Sequence, residues 1–159
     1  MKTWLRIVTV IVLLMMAGPT VFAANTPEIT LTTNKSSYAL GEVVHVTIES
    51  KKTDDLYGVQ FELVYDEEQL RFVDSSVQNV AWPNGYADFR TAPGVVKYVA
   101  TKLGPVPGDS GKSEIVTLEF VTRSSGNATM MLKNIKAADD RSRLIPVNGE
   151  DAASFKIRK

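Results

Sequence analysis

The chain has 159 residues, 44% of them apolar and 23% charged, with eighteen Lys+Arg against eighteen Asp+Glu. A neutral balance and ordinary Gly and Pro usage exclude collagen-like, coiled-coil and disordered classes, and they leave no basic surplus with which to displace counterions from nucleic-acid phosphates. With no cysteine and one histidine, His45, the sequence excludes disulfides, thiolate metal sites, Cys nucleophiles and a His-rich zinc site.

Lys2 and Arg6 flank the start of an apolar run from Ile7 to Ala17, broken by Gly18-Pro19. Val21-Phe22-Ala23 then puts short side chains three and one residues before a cut after Ala23. This is the layout of a secretory signal peptide, and the run is too short to cross roughly 30 Å of hydrocarbon. The expected organisation is a signal peptide over 1–23 and one domain over 24–159. The domain would be exported, by a bacterial route, and carry no membrane span once the signal is removed.

The exported part shows almost no helix signals. Glu28 to Thr32 alternates polar and apolar, and 34–41 reads as a turn region. Val44, Val46 and Ile48 alternate with His45, Thr47 and Glu49, the pattern of a half-buried strand. From Tyr57 to Tyr65, Val59, Phe61, Leu63 and Tyr65 fall on one face and Gly58, Gln60, Glu62 and Val64 on the other. Further strands are expected at Leu70–Val73, Tyr86–Thr91, Val95–Thr101, Ile115–Thr122, Thr129–Ala137 and Ser154–Arg158. Turns at Trp82–Gly85 and Pro93-Gly94 and a loop at Gly104–Gly108 separate them. Roughly eight or nine short strands at even spacing indicate an all-β antiparallel sandwich of jelly-roll type, in a single domain without internal repeats.

The stretch Leu56-Tyr57-Gly58-Val59-Gln60-Phe61-Glu62-Leu63-Val64-Tyr65-Asp66, running into Leu70-Arg71-Phe72-Val73, resembles the third strand and following turn of cohesin modules. Leu132 to Asp140, followed by Ile145-Pro146-Val147 and a closing strand, is also similar to that family. The resemblance implies a jelly-roll sandwich related to carbohydrate-binding modules. It also implies a non-catalytic function: docking a dockerin-type module, small, helical and calcium-loaded, on polysaccharide-degrading enzymes. Where the family carries Asn and Asp on the outward face of this strand, the present chain has Gly58 and Gln60, and Glu67 stands where Pro usually follows Tyr-Asp. No Asp-x-Asn-x-Asp-Gly calcium loop occurs, so the chain carries no dockerin of its own.

The candidate partner site is the outward face of two strands, with Gln60, Glu62 and Val64 on one and Lys97, Val99 and Thr101 on the other. The resemblance implies that these strands are neighbours. Val64 and Val99 would then be exposed without a core reason, a sign of a partner surface. A second reading is direct binding of an extracellular polysaccharide by Trp82, Tyr86 and Phe89, whose rings could stack on sugar faces, although such residues more often plug one end of a sandwich. A third is a structural or adhesive surface module that associates with itself. His45 alternates outward and reads as a surface histidine rather than a catalytic base. The acidic groups Asp54-Asp55, Asp66-Glu67-Glu68, Asp139-Asp140 and Glu150-Asp151 sit in turns, where Asp caps backbone N–H groups. Calcium is the one ion such turns could hold; otherwise no metal and no cofactor are expected.

Overall fold

Side chains that alternate every residue can serve a core only if two sheets bury their facing sides against each other, and the chain folds in this way. The computed structural model describes residues 26–79 and 82–159; the expected signal segment 1–23 lies outside them. Among the described residues there are twelve strands: β1 (Glu28–Thr33), β2 (Ser37–Ala39), β3 (Val43–Leu56), β4 (Gly58–Val64), β5 (Leu70–Phe72), β6 (Gln78–Asn79), β7 (Tyr86–Ala92), β8 (Val95–Thr101), β9 (Asp109–Thr122), β10 (Gly126–Ala138), β11 (Leu144–Ile145) and β12 (Asp151–Arg158). No helix among them is long and apolar enough to cross a membrane.

One sheet runs β1-β3-β9-β5, with β6 also on β9. The other runs β2-β12-β10-β4-β8-β7, with β11 on β10. The chain crosses repeatedly between the layers, from β3 to β4, β4 to β5, β8 to β9 and β9 to β10, which gives the sandwich its jelly-roll character. All pairings are antiparallel except β12 with β2. The 34–41 region is therefore more than a turn: its middle pairs with the C-terminal strand. Strands β3 and β9 run longer than the alternation suggests. Past Ser50 they stay paired through register shifts, with Lys52 and Asp55 at positive φ (55° and 59°). Such shifts scramble a period-two pattern, so the polar stretch 51–55 does not look like a strand in sequence.

The inward sides meet in one core. Val44, Val46, Ile48, Leu118 and Phe120 face Phe61, Leu63, Val96, Met130 and Leu132, all fully buried. Burying each such side chain contributes roughly 1.5–3 kcal/mol. Phe61 and Tyr98 stack across β4 and β8 at 5.1 Å between ring centres. Phe120 contacts Tyr65 and Phe72, and Phe72 in turn meets Phe89 edge-on. The β7–β8 connection is Pro93-Gly94. Gly94 has φ of 68°, its carbonyl accepts the Tyr65 N–H at 2.9 Å, and a Cβ there would lie 2.8 Å from the Tyr65 carbonyl oxygen. Glycine at that position fixes the tight turn and with it the register of β7 on β8.

Tyr98 is almost wholly buried, yet its hydroxyl finds no hydrogen-bond partner, and burial pushes its phenol pKa up to about 12. An orphaned buried hydroxyl is a cost that phenylalanine would not carry. Tyr98→Phe is therefore expected to leave the melting temperature unchanged or raise stability by up to about 1 kcal/mol. Because the folded-state pKa is raised, the stability linked to the neutral phenol is complete below the unfolded value of roughly 10 and lost as pH climbs toward 12. The wild type should lose stability between pH 9 and 11 more steeply than Tyr98→Phe. Thermal denaturation across that range checks both points, and a large drop in stability for Tyr98→Phe at neutral pH refutes them.

Candidate functional site

Four antiparallel neighbours, β10, β4, β8 and β7, form one side of the second sheet, and their registers set side chains in rows. One row is Lys136–Gln60–Val99–Asp88, the next Glu62–Lys97–Arg90, then Met131–Val64–Val95–Ala92. On the other side of the first lies Ala138–Gly58–Thr101–Tyr86. Residues directly opposite in a sheet point to the same face. Since Val59, Phe61, Leu63, Val96, Tyr98 and Ala100 point into the core, every member of these rows points away from it. The six residues singled out in the sequence, Gln60, Glu62, Val64, Lys97, Val99 and Thr101, thus share one outward face on adjacent strands. Of the two valines expected to be exposed, Val99 is, while Val64 is half-buried, and the Thr101 hydroxyl donates to the carbonyls of Tyr57 and Lys102.

A pinned carboxylate sits in the middle of the face. Glu62 Oε1 lies 2.8 Å from Lys97 Nζ, and Asn134 Nδ2 donates to Oε2 at 2.8 Å. Asn134 reaches it because β10 shifts register between Lys133 and Lys136, with Asn134 at φ 52°. The hydrogen bond from Lys97, then that from Asn134, holds the Glu62 carboxyl below the usual range. Beside this polar centre lies exposed apolar surface. Val99 is 38% exposed, Tyr86 53% and Leu144 75%; Leu144, on β11, stands in register with Ala138. Leu144, Gly58, Gln60, Val99, Thr101 and Lys136 line a shallow depression.

Leu144 was not among the sequence candidates. Its position depends on the Asp139 turn. Asp139 Oδ1 accepts the N–H groups of Arg141 (3.0 Å) and Arg143 (2.8 Å), and Oδ2 accepts Arg143 Nε at 2.7 Å. Burial raises the Asp139 pKa, but these bonds outweigh it and hold the group below the usual carboxylate range. The acidic pair read as a solvated turn is thus a brace that delivers a leucine to the face. The carboxylates of Asp55, Asp139 and Asp140 lie within 4.8 Å of one another, and burial together with Asp55 raises the Asp140 pKa. Two of the three already serve the chain's own donors, since Asp55 Oδ1 accepts the Gly108 N–H at 2.8 Å. The remaining acidic turns behave likewise: Asp66 caps the Glu68 N–H, and Asp151 accepts the Leu31 N–H.

The aromatic reading is corrected. Trp82 is buried, and its Nε1 donates to Asp109 Oδ2 at 2.8 Å. Asp109 also pairs with Lys102 and accepts from Ser113. Burial pulls its pKa up, but the hydrogen bonds from Lys102 and Trp82 leave it lowered overall. Phe89 faces inward onto Phe72, with ring centres 5.9 Å apart. Tyr86 and Phe89 are three residues apart on one strand, so they point to opposite faces. The three rings form no common platform for a sugar. His45 lies on the outer face of the first sheet, 3.5 Å from Glu119.

The sequence model of the family described as Cohesin domain matches residues 27–149. No curated protein matches the chain. Among solved structures, the chain is similar to a non-cellulosomal cohesin from the hyperthermophilic archaeon Archaeoglobus fulgidus (TM-score 0.68, 20% identity, 84% of this chain and 92% of that one). It is also similar to a cohesin module from a family 33 glycoside hydrolase of Clostridium perfringens (TM-score 0.71, 12% identity, 84% and 97%). A third similar chain comes from a type I cohesin–dockerin complex of Clostridium thermocellum (TM-score 0.68, 13% identity, 84% and 99%).

The pinned carboxylate can be tested without any partner. A depressed folded-state pKa means that the Glu62 contribution is present above the unfolded value of roughly 4.3 and is lost as pH falls through the lower folded value. In carbon-detected NMR titration, Glu62 should titrate below the ordinary glutamate range. Lys97→Met and Asn134→Ala should each bring its midpoint back toward the ordinary range. An unshifted Glu62 midpoint in the wild type refutes the pinning.

Proposed function

The chain belongs to the cohesin domain family, and from that premise we propose that it is an exported, non-catalytic module that docks a dockerin-type partner. The outward face of β10, β4, β8 and β7 is the docking surface. The partner would be a calcium-loaded helical module carried by a polysaccharide-degrading enzyme. The observation that carries this reading is the level patch around Val99, where Val99, Leu144 and Tyr86 are exposed next to a polar centre already organised by Glu62, Lys97 and Asn134. Membership in the family and the presence of a cohesin–dockerin complex among the similar structures support the choice of partner.

The division of labour follows from burial. Apolar side chains that lose water on docking supply affinity, while charges at the margin select the partner and set its orientation. Lys136 and Arg90, at the two margins of the face, offer cations to an acidic partner surface. Gly58 leaves the β4 backbone uncovered between Ala138 and Thr101, so a partner side chain can approach the sheet closely there. The lead segment over 1–23 would take the module out of the cell, which is where a polysaccharide-degrading enzyme works.

Isothermal titration calorimetry with calcium-loaded dockerin modules from the same genome tests the reading. At least one is expected to bind, and binding should disappear on chelation of calcium, because the partner's loops need the ion to fold. Val99→Glu and Leu144→Glu should each weaken binding by about tenfold or more. Trp82→Phe, whose ring is buried away from the face, should change affinity little. If none of these modules binds, or if Val99→Glu and Leu144→Glu bind like the wild type, the reading fails.

A further inference from the structure

The second sheet ends at β7, and among the described residues the far edge of that strand pairs with no other strand. Seven unbroken register pairs, Tyr86↔Thr101 to Ala92↔Val95, hold β7 flat on β8. The strand contains no proline, no bulge and no lysine. These are the devices by which sheet edges usually avoid adding another strand. The edge presents a row of free N–H and C=O groups, guarded only by one charge of each sign, Asp88 and Arg90.

The charges on this edge point to its occupant. Asp88 and Arg90 are two residues apart on the outward side of β7, and neither forms an ion pair among the described residues. Arg90 stands opposite Lys97 in the register, a like charge whose own partner is Glu62. The edge therefore carries one uncompensated acid and one uncompensated base, symmetric about Phe89.

We propose that a second copy of this chain pairs with β7, antiparallel, about a two-fold axis through Phe89. In that register Asp88 of each copy stands opposite Arg90 of the other, so one symmetric contact makes two Asp–Arg pairs. Tyr86 falls opposite Ala92 on the same side. On the inner side Phe89 meets its own equivalent, and Ala87 meets Thr91, so an aromatic cross-strand pair sits on the axis. Such an interface is isologous and closes at the dimer. It joins two seven-stranded sheets edge to edge into one. A single strand pair buries less than the roughly 1,200 Å² of a stable specific complex, so the dimer is a weak one, populated at high protein concentration. The inference goes beyond the docking function and does not need it.

Sedimentation equilibrium of the chain alone, with no dockerin present, provides the test. The wild type should show a concentration-dependent mass rising toward two copies, and the association should weaken with added salt. Asp88→Arg sets Arg against Arg across the axis, and Arg90→Asp sets Asp against Asp. Each should weaken self-association by about tenfold. Mixing the two single variants should restore a dimer, because each supplies the charge the other lacks, and the double reversal D88R/R90D should dimerise by itself. Both positions are on the surface, and circular dichroism verifies that the variants fold. A wild type that stays monomeric up to about 1 mM, a dimer unaffected by either reversal, or a mixture that fails to recover association overturns the proposal.

Discussion

A strand has only two sides, and in this molecule that geometric fact sets everything else. Once Val59, Phe61 and Leu63 are committed to the core, Gln60, Glu62 and Val64 must face out. Once Val96, Tyr98 and Ala100 are committed, so must Lys97 and Val99. The register of β4 on β8 then decides which outward residues are neighbours. Glu62 falls opposite Lys97 and Gln60 opposite Val99. A slip of one residue would bury the charges and expose the core, so the packing of Phe61 on Tyr98 defends the surface chemistry as well as the interior.

The ends of the sandwich are held by a different kind of force. At one end Asp109 gathers Lys102, Trp82 and Ser113, and Lys102 also donates to the Pro107 carbonyl. The 103–108 loop is thereby tied back over the tryptophan. Near it Asp55 holds the Gly108 N–H, and Asp139 organises the turn that ends in Leu144. Carboxylates accepting backbone N–H groups are the common device: each satisfies loop donors that no ladder reaches. Asp55, Asp66, Asp139 and Asp151 are in this way engaged by the chain's own backbone, which is the physical reason to read them as braces.

Periodicity exposed the strands it could reach. Val95–Thr101 agrees with β8 end to end, and Gly58–Val64 lies within the expected Tyr57–Tyr65. The shared outward face of Gln60, Glu62, Val64, Lys97, Val99 and Thr101 follows from parity once β4 and β8 are neighbours. Three kinds of feature escaped. Strands β2, β6 and β11, of two or three residues, are too short for an alternation to be visible. The bulged halves of β3 and β9 lose the period at Lys52 and Asp55. Leu144 and Asn134 reach the face through a braced turn and a register shift, and no local pattern announces either. Trp82, Tyr86 and Phe89 misled for the opposite reason: closeness in sequence suggested a cluster, while the odd spacing of Tyr86 and Phe89 separates them across the sheet.

The composition of the face says what kind of partner it suits. At the two positions of β4 where the resembling family carries Asn and Asp, this chain has Gly58, which brings no side chain, and Gln60, which brings no charge. Around them stand Ala138, Val99, Tyr86 and Leu144, so this part of the surface offers area to bury rather than hydrogen bonds to satisfy. Lys136 and Asp88 close the two ends of the Gln60–Val99 row, and the other ionic groups, Glu62, Lys97 and Arg90, stand one row away, where the carboxylate is already engaged by Lys97 and Asn134. A partner would meet few unpaired polar groups in the middle of the face and would lose little by desolvating them. On the docking reading, the complement of this surface is a helix face with an apolar centre and acidic margins, facing Lys136 on one side and Arg90 on the other.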